Sequence, residues 1–258
     1  MITIKSAREI ELLRAAGKII YDLHQVLKPL IKPGISTLEL DQIAEAYILA
    51  QGAKPNFKNY NGFPNTICAS INDTVIHGIP RKDMILKEGD VISIDMGCIL
   101  NGYHGDSAWT YGVGEISLKD QELLDVTKEA LYQAIRVVKP GAYLGDIGYA
   151  IEQFVSPHHM GIVTDFGGHG IGRNLHEDPH VSHKGKKGQG VVLKEGMVIC
   201  IEPMITLGSG KVKVLKDGWT VKSVEAKTSA HFEHMVAVRA SGYDILSDGS
   251  SPMQGTNG

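Results

Sequence analysis

Five side chains in this sequence could together do chemistry that none does alone: Asp95, Asp106, His169, Glu202 and Glu233. Four carboxylates and one imidazole gathered in one buried place would carry more negative charge than a protein interior holds unpaired. Two divalent ions would balance it. Oxygen-rich ligation with a single histidine suits Mn, Fe(II), Co or Zn better than a structural zinc site, which prefers Cys and His. Two such ions, about 3.5–4 Å apart, share a bridging water as nucleophile. The constellation therefore reads as metal-assisted hydrolysis.

Two of the acids end near-identical stretches. Residues 86–95 read LKEGDVISID, and residues 193–202, starting 107 positions later, read LKEGMVICIE. Each is a Gly-containing turn, a β-branched run and a final carboxylate, which is a buried strand delivering a charge. Lys32-Pro33-Gly34 recurs at the same offset as Lys139-Pro140-Gly141. An offset held over two motifs argues for an internal duplication. We read one domain over 1–258, with pseudo-symmetric halves at about 1–112 and 113–246 sharing one core, and the site where they meet.

The remaining acids have strand partners. Asn101-Gly102 between two strand-like runs, Val91 to Met96 and Tyr103 to Tyr111, is a strong hairpin signal. A two-residue turn there sets Asp95 opposite Ala108 and makes Asp106 its diagonal neighbour, about 7–8 Å away at the backbone. The alternative, two solvated acids on an exposed face, conflicts with Asp95 closing an apolar strand. Met197 to Ile205 reads as one strand carrying Glu202, and Ala230 to Val238 as another with Glu233 inside it. His169 stands in Phe166-Gly167-Gly168-His169-Gly170-Ile171-Gly172, too Gly-rich for a helix and free to bring one imidazole close to a partner. No P-loop lysine follows, and the dinucleotide-binding order of glycines is absent. The histidines at 24, 104, 158, 159, 180, 183, 231 and 234 have no comparable context and read as structural.

Helices frame these strands. Ser6-Ala7-Arg8-Glu9 and Ser36-Thr37-Leu38-Glu39 are capping boxes opening helices to about Leu27 and to Gly52. Ser117-Leu118-Lys119-Asp120 is a capping-type start before a third helix, Glu122 to Val138, and Leu144 to Phe154 predicts a fourth. Residues 53–64 form an aromatic loop that either packs on the core or walls an apolar pocket. Ile67 to Ile71 and Thr74 to Ile76 predict short strands, followed by His77. Apolar content of 43 % and charged content of 21 % are those of a soluble globular chain, and a net charge of −3 gives no reason for tight nucleic-acid binding. Three spaced cysteines without a CxxC pair fit a reducing compartment. With no signal-peptide core and no apolar run of about 18 residues, a cytoplasmic, non-membrane protein is expected. The Ser/Gly/Asn-rich residues 247–258 predict a disordered tail.

At this point the motifs reach a family. HGIP at 77–80, SIDMG at 93–97, GYHGDSAWT at 102–110, GGHGIG at 167–172, LHEDPH at 175–180, CIEPM at 200–204 and FEHMV at 232–236 stand in order over about residues 5–246. The chain resembles the type I methionine aminopeptidases. The resemblance implies an α/β pita-bread fold, a pseudo-two-fold unit with a central antiparallel sheet covered by helices. It implies removal of the initiator methionine from nascent proteins and peptides when the next residue is small. Asp95 and Asp106 would hold one ion, and Asp106, His169, Glu202 and Glu233 the other, with Asp106 and Glu233 bridging. His77 would bond the scissile amide, His176 would stabilise the oxyanion, and Glu202 would act as general acid and base on the water. The substrate's free amine would go to the ion held by Asp95, which restricts cleavage to the first residue. Phe57, Tyr60, Phe63, Cys68, Leu175 and Trp219 would form the methionine pocket. Asn72, Thr74 and Ser229 would hold one Na or K ion. A monomer is implied.

Two positions depart from the family. Many bacterial members carry His where this chain has Asn61, and Phe where it has Leu175; both touch pocket shape and neither is an expected metal ligand. Other readings are a proline-specific peptidase of the same fold, whose members usually carry a large extra N-terminal domain, and a metal-free binding protein, which would have lost ligands. The type II aminopeptidases carry an inserted helical subdomain for which this chain has no room. Two basic loops, Lys184, Lys186 and Lys187 with Lys211, Lys213 and Lys216, read either as a solvated face or as a docking surface for ribosomal RNA near the exit tunnel.

Overall fold

The computed structural model describes residues 1–250. Helix α1 (Ala7–Leu27) starts where Ser6 Oγ accepts from Glu9 N while Glu9 accepts from Ser6 N, and α2 (Thr37–Ala50) starts on the same reciprocal pair at Ser36 and Glu39. Both helices lay their apolar faces on the antiparallel strands β1 (Lys54–Pro55), β2 (Ile67–Ile71), β4 (Val91–Leu100) and β5 (Tyr103–Gly112), in which β4 pairs with β5 on one edge and with β1 and β2 on the other. Leu23, Leu27, Leu40, Ile92 and Ile94 belong to the core between them. Between β2 and β4 the short strand β3 (Thr74–Ile76) turns back beside them.

The second half repeats the plan with α3 (Leu118–Arg136) and α4 (Leu144–Val155) over a second core that includes Leu131, Ile135, Ile147, Ile199 and Val236. Its strands are β6 (Gly161–Ile162), β7 (Gly168–Gly170), β8 (Glu177–Val181), β9 (Val198–Ile201), β10 (Met204–Thr206), β11 (Val212–Val214), β12 (Val221–Ser223), β13 (Ser229–His231), β14 (His234–Arg239) and β15 (Gly242–Ile245). They form a five-stranded sheet in the order β15-β14-β9-β7-β8 and two three-stranded sheets, β13-β10-β6 and β11-β12-β3.

The offset of 107 seen in the sequence recurs in space. Gly34 N donates to Leu86 O and Gly141 N to Leu193 O, each at 2.9 Å. The isolated bridges Ser36–Ile85 and Tyr143–Val192 are spaced in the same way.

The structure refines the sequence reading at several places, and β4 runs on to Leu100 where Val91 to Met96 was expected. Helix α3 begins at Leu118, on the cap that the capping-type start at Ser117-Leu118-Lys119-Asp120 predicts: Ser117 Oγ accepts from Asp120 N, and a polar first turn precedes the apolar spacing that begins at Glu122. The two long strands expected around Glu202 and Glu233 are each broken, into β9 and β10 and into β13 and β14. Pro203 explains the first break, since it has no N–H for the ladder. Ser247, assigned to a free tail, is buried: its hydroxyl bonds His234 Nδ1 at 2.9 Å and accepts from Met235 N at 3.0 Å. Residues 251–258 of that expected tail lie outside the described residues.

Candidate active site

The first two acids stand on an unbroken hairpin. Asn101 and Gly102 have φ of 52° and 81°, as a type I′ turn requires. Asp95 pairs with Ala108 and Gly97 with Asp106, so the two acids are diagonal neighbours on one face.

Glu202 and Glu233 are delivered by the paired breaks. Strand β9 runs beside β14 up to the pair Ile201–His234, and β10 beside β13 from the pair Met204–His231. Both chains therefore change sheets at the same place, and the residues in the gap carry the acids. Glu233 N donates to Ala108 O at 2.8 Å, which ties this gap to the hairpin directly opposite Asp95.

His169 comes from β7, whose backbone lies close to β9 because residue 168 is glycine: a Cβ there would stand 2.1 Å from Cys200 O. Its Nδ1–H donates to Gly170 O at 2.9 Å, which leaves Nε2 as a lone pair facing the acids. Nε2 is 3.8 Å from Asp106 Oδ2 and 3.6 Å from Glu202 Oε1. Those contacts are not ion pairs, since burial, with His176 nearby, holds the imidazole neutral with its pKa down at about 3.

These five residues floor a cavity of about 210 Å³. Its walls are Phe57, Tyr60, Asn61, Phe63, Cys68, Leu175 and Trp219, with His77 and His176 also lining it. Phe63 meets Trp219 edge-on at 5.2 Å, and the His77 ring stands edge-on to Trp219 at 6.1 Å. His77 has a φ of 56°, a left-handed conformation that a side-chain-bearing residue holds only when its surroundings impose it. His176 Nδ1 is 2.8 Å from the Tyr60 hydroxyl, and its ring lies 4.3 Å from that of His169. All the residues expected for metal, pocket and substrate contacts thus share one cavity, and the aromatic loop walls it. A larger groove of about 850 Å³, lined in part by Asp73, Arg81, Asp90 and Lys222, lies apart from the five and holds none of them. Asn72 and Thr74 line that groove, and their carbonyl oxygens both accept from the Ser229 hydroxyl, at 3.2 and 3.1 Å.

The electrostatics call for cations. Burial raises the Asp95 pKa to about 7, against a lowering by His231, and burial raises that of Glu202 to about 8. Burial, then the neighbouring acids, pushes Asp106 and Glu233 well above the carboxylate range. Asp95 Oδ1, Asp106 Oδ1 and Glu233 Oε1 are buried acceptors without a donor. Such atoms are costly in a folded interior unless something positive meets them. The donor set, carboxylate oxygens with one imidazole lone pair, fits hard to borderline divalent ions.

Two residues given no role at the site by the sequence also stand here. Cys200 Sγ lies within 4.8 Å of ligand atoms of Asp106, His169 and Glu233, and burial followed by those carboxylates keeps it a neutral thiol. His231, read as structural, places Nε2 3.5 Å from Glu202 Oε2.

A family model described as metallopeptidase family M24 matches residues 11–240. Methionine aminopeptidase 1 of Bacillus subtilis is 52 % identical over 246 residues, covering 95 % of this chain and 99 % of the relative. The crystal structure of methionine aminopeptidase from Rickettsia prowazekii superposes with a TM-score of 0.94 at 41 % identity, over 96 % of this chain and all of that one. A prolidase from Pyrococcus furiosus has a TM-score of 0.77 at 24 % identity, over 96 % of this chain and 66 % of that one, a likeness of fold alone. The fold is the pita-bread fold, and the chain belongs to the M24 metallopeptidases and, within them, to the methionine aminopeptidases.

Proposed function

We propose that this metallo-aminopeptidase removes the initiator methionine from nascent proteins and peptides whose second residue is small. The observation that carries the reading is the single cavity in which an apolar, aromatic-walled pocket abuts four buried acids and an imidazole lone pair. The chemistry of the pocket suits an unbranched thioether side chain. Its volume of about 210 Å³ is shared between pocket and reacting centre, which supports a small second residue.

Asp95, Asp106, His169, Glu202 and Glu233 would hold two divalent ions. When bound, the pair supplies Lewis acidity and an activated water at neutral pH. The other roles belong to side chains. Glu202 takes the water's proton and returns it to the leaving amine. The Tyr60 hydroxyl donates to His176 Nδ1 and so leaves Nε2–H free to bond the developing oxyanion. His77, held neutral by burial with a pKa of about 4, bonds the scissile amide. Phe57, Phe63, Cys68, Leu175 and Trp219 exclude water from the methionine side chain and fix its register against the acids.

Asn72, Thr74 and Ser229 are assigned to one Na or K ion on the convergence of their oxygens. The loops with Lys184, Lys186, Lys187, Lys211, Lys213 and Lys216 are assigned to docking on ribosomal RNA. Ribosome co-sedimentation that survives Lys→Glu changes in both loops overturns that assignment. No helix among the described residues is long and apolar enough to cross a membrane. A monomer in the cytoplasm completes the reading.

The test is hydrolysis of Met-Gly-Met-Met, Gly-Pro and Ala-Pro peptides by metal-stripped protein with Mn, Fe(II), Co or Zn restored. Metal-dependent release of methionine alone is the expected result. Cleavage only before proline assigns the chain to the proline peptidases instead.

A further inference from the structure

One buried polar atom behind the cavity floor, against Glu202, is not explained by bound cations. The orphaned oxygens of Asp95, Asp106 and Glu233 are acceptors, as ligands for a cation should be, but His231 Nε2 is also buried there without a hydrogen-bond partner. His231 is 2 % exposed. Its backbone is clamped from both sides by Thr110, whose Oγ1 accepts from His231 N and donates to His231 O, each at 2.8 Å. The ring is thus held where a diagonal neighbour reaches Glu202: His231 pairs with Met204, two residues beyond that acid.

The Glu202 carboxylate is therefore bracketed by two imidazoles, one at each oxygen. His169 Nε2 stands 3.6 Å from Oε1 and His231 Nε2 stands 3.5 Å from Oε2. The two rings differ in what they can offer. His169 has spent its N–H on Gly170 O, so it presents a lone pair. His231 Nε2 faces a carboxylate oxygen, where a lone pair would be repelled and an N–H attracted. A closure of about 0.5 Å brings the pair into the ordinary hydrogen-bond range of about 2.7–3.2 Å.

We infer that His231 is a positioning residue for Glu202: its Nε2–H donates to Oε2, fixes the carboxylate plane, and leaves Oε1 on the side of His169. The inference rests on the reading of Glu202 as the acid that carries the proton. A carboxylate held this way is presented to the water in one orientation, as ligating carboxylates generally are through an outer hydrogen bond. Because His231 is not among the residues lining the cavity, its loss acts on turnover and not on methionine binding.

Two measurements test this, and they fail independently. The first is nitrogen NMR of histidine-labelled, Zn-loaded protein, with His231 assigned by its absence from His231→Gln. The expected spectrum shows a neutral ring protonated at Nε2. A ring protonated at Nδ1 only, or an Nε2 with the shift of a zinc ligand, overturns the inference, whatever the enzyme's activity. The second is steady-state kinetics on Met-Gly-Met-Met. His231→Leu lowers kcat by about 10–100-fold, the usual loss for an outer partner of a metal site, with KM unchanged. His231→Gln, which restores an N–H donor of similar reach, recovers most of kcat. Equal losses in both variants, or a loss confined to KM, overturn it. Wild-type protein that releases no methionine sinks the functional reading, while the spectrum still decides the tautomer.

Discussion

The two halves of the molecule deliver acids to one cavity by different means. In the first half, Asp95 and Asp106 sit on a hairpin paired without interruption from Val91–Gly112 to Leu100–Tyr103. In the second, Glu202 and Glu233 sit where two neighbouring strands leave one sheet for another. The turns that lead in are the same: Gly89 and Gly196, 107 positions apart, have φ of 84° and 85°. Beyond those turns the halves diverge. A regular hairpin holds two acids on its diagonal and no closer than the ladder permits. Bringing two more against them from across the cavity requires the ladder to open, and Pro203 opens it. The lone-pair imidazole of His169 comes from the second half only. The duplication thus supplies the frame, and the departure from symmetry supplies the chemistry.

The sharpest way to break this comparison is to remove one acid from each half. Glu202→Gln and Asp95→Asn are each expected to lower kcat for Met-Gly-Met-Met by about 10²–10⁴-fold, the range for loss of a positioned acid or base. Retained circular dichroism would show that both variants are folded. A variant of one half that keeps near wild-type turnover would show that the other half suffices alone.

Metal removal sharpens it next. In the metal-free protein Asp95 and Glu202 titrate at about 7 and about 8, above their ordinary 3.8 and 4.5. The native state then binds more protons than the unfolded chain between about pH 4 and pH 8, so stability is greatest below that window and falls as pH rises through it. The melting temperature of metal-stripped protein should drop from pH 5 to pH 8, and Co or Mn should abolish most of the drop. A flat profile without metal would mean that the acids are not held together.

The smallest effect compares the two turns. Gly89→Ala strains a left-handed residue that has only Glu115 O nearby, at 3.7 Å, and should cost about 1–2 kcal/mol in urea unfolding. Gly196→Ala should cost more, because its Cβ would meet Ile4 Cγ2 and Lys5 O at 2.7 Å. Equal losses would mean that the N-terminal segment yields freely.

Much of this was legible in the sequence, for physical reasons that differ by element. Ser6 and Ser36 announced their helices because a capping box is a local hydrogen-bond pattern. Asn101-Gly102 fixed the register of Asp95 and Asp106 because a two-residue turn leaves no freedom. The breaks at Glu202 and Glu233 were hidden, since a run of β-branched residues does not say which neighbour each part will pair with. His231 was hidden for the same reason: its partner across the break is set by tertiary pairing with Met204. Ser117 announced α3 as Ser6 and Ser36 announced their helices, although the exposed first turn at Leu118 carries no apolar stripe and the periodicity alone begins only at Glu122.

The central claim is that acids from both halves hold one pair of ions. The direct measurement is the number of Co(II) ions bound per chain at equilibrium dialysis, in wild type and in Asp95→Asn. The account predicts two ions in the wild type, and one in the variant, held by His169, Glu202 and their neighbours. Two ions retained in Asp95→Asn, or a single ion in wild type at saturating Co(II), would contradict it.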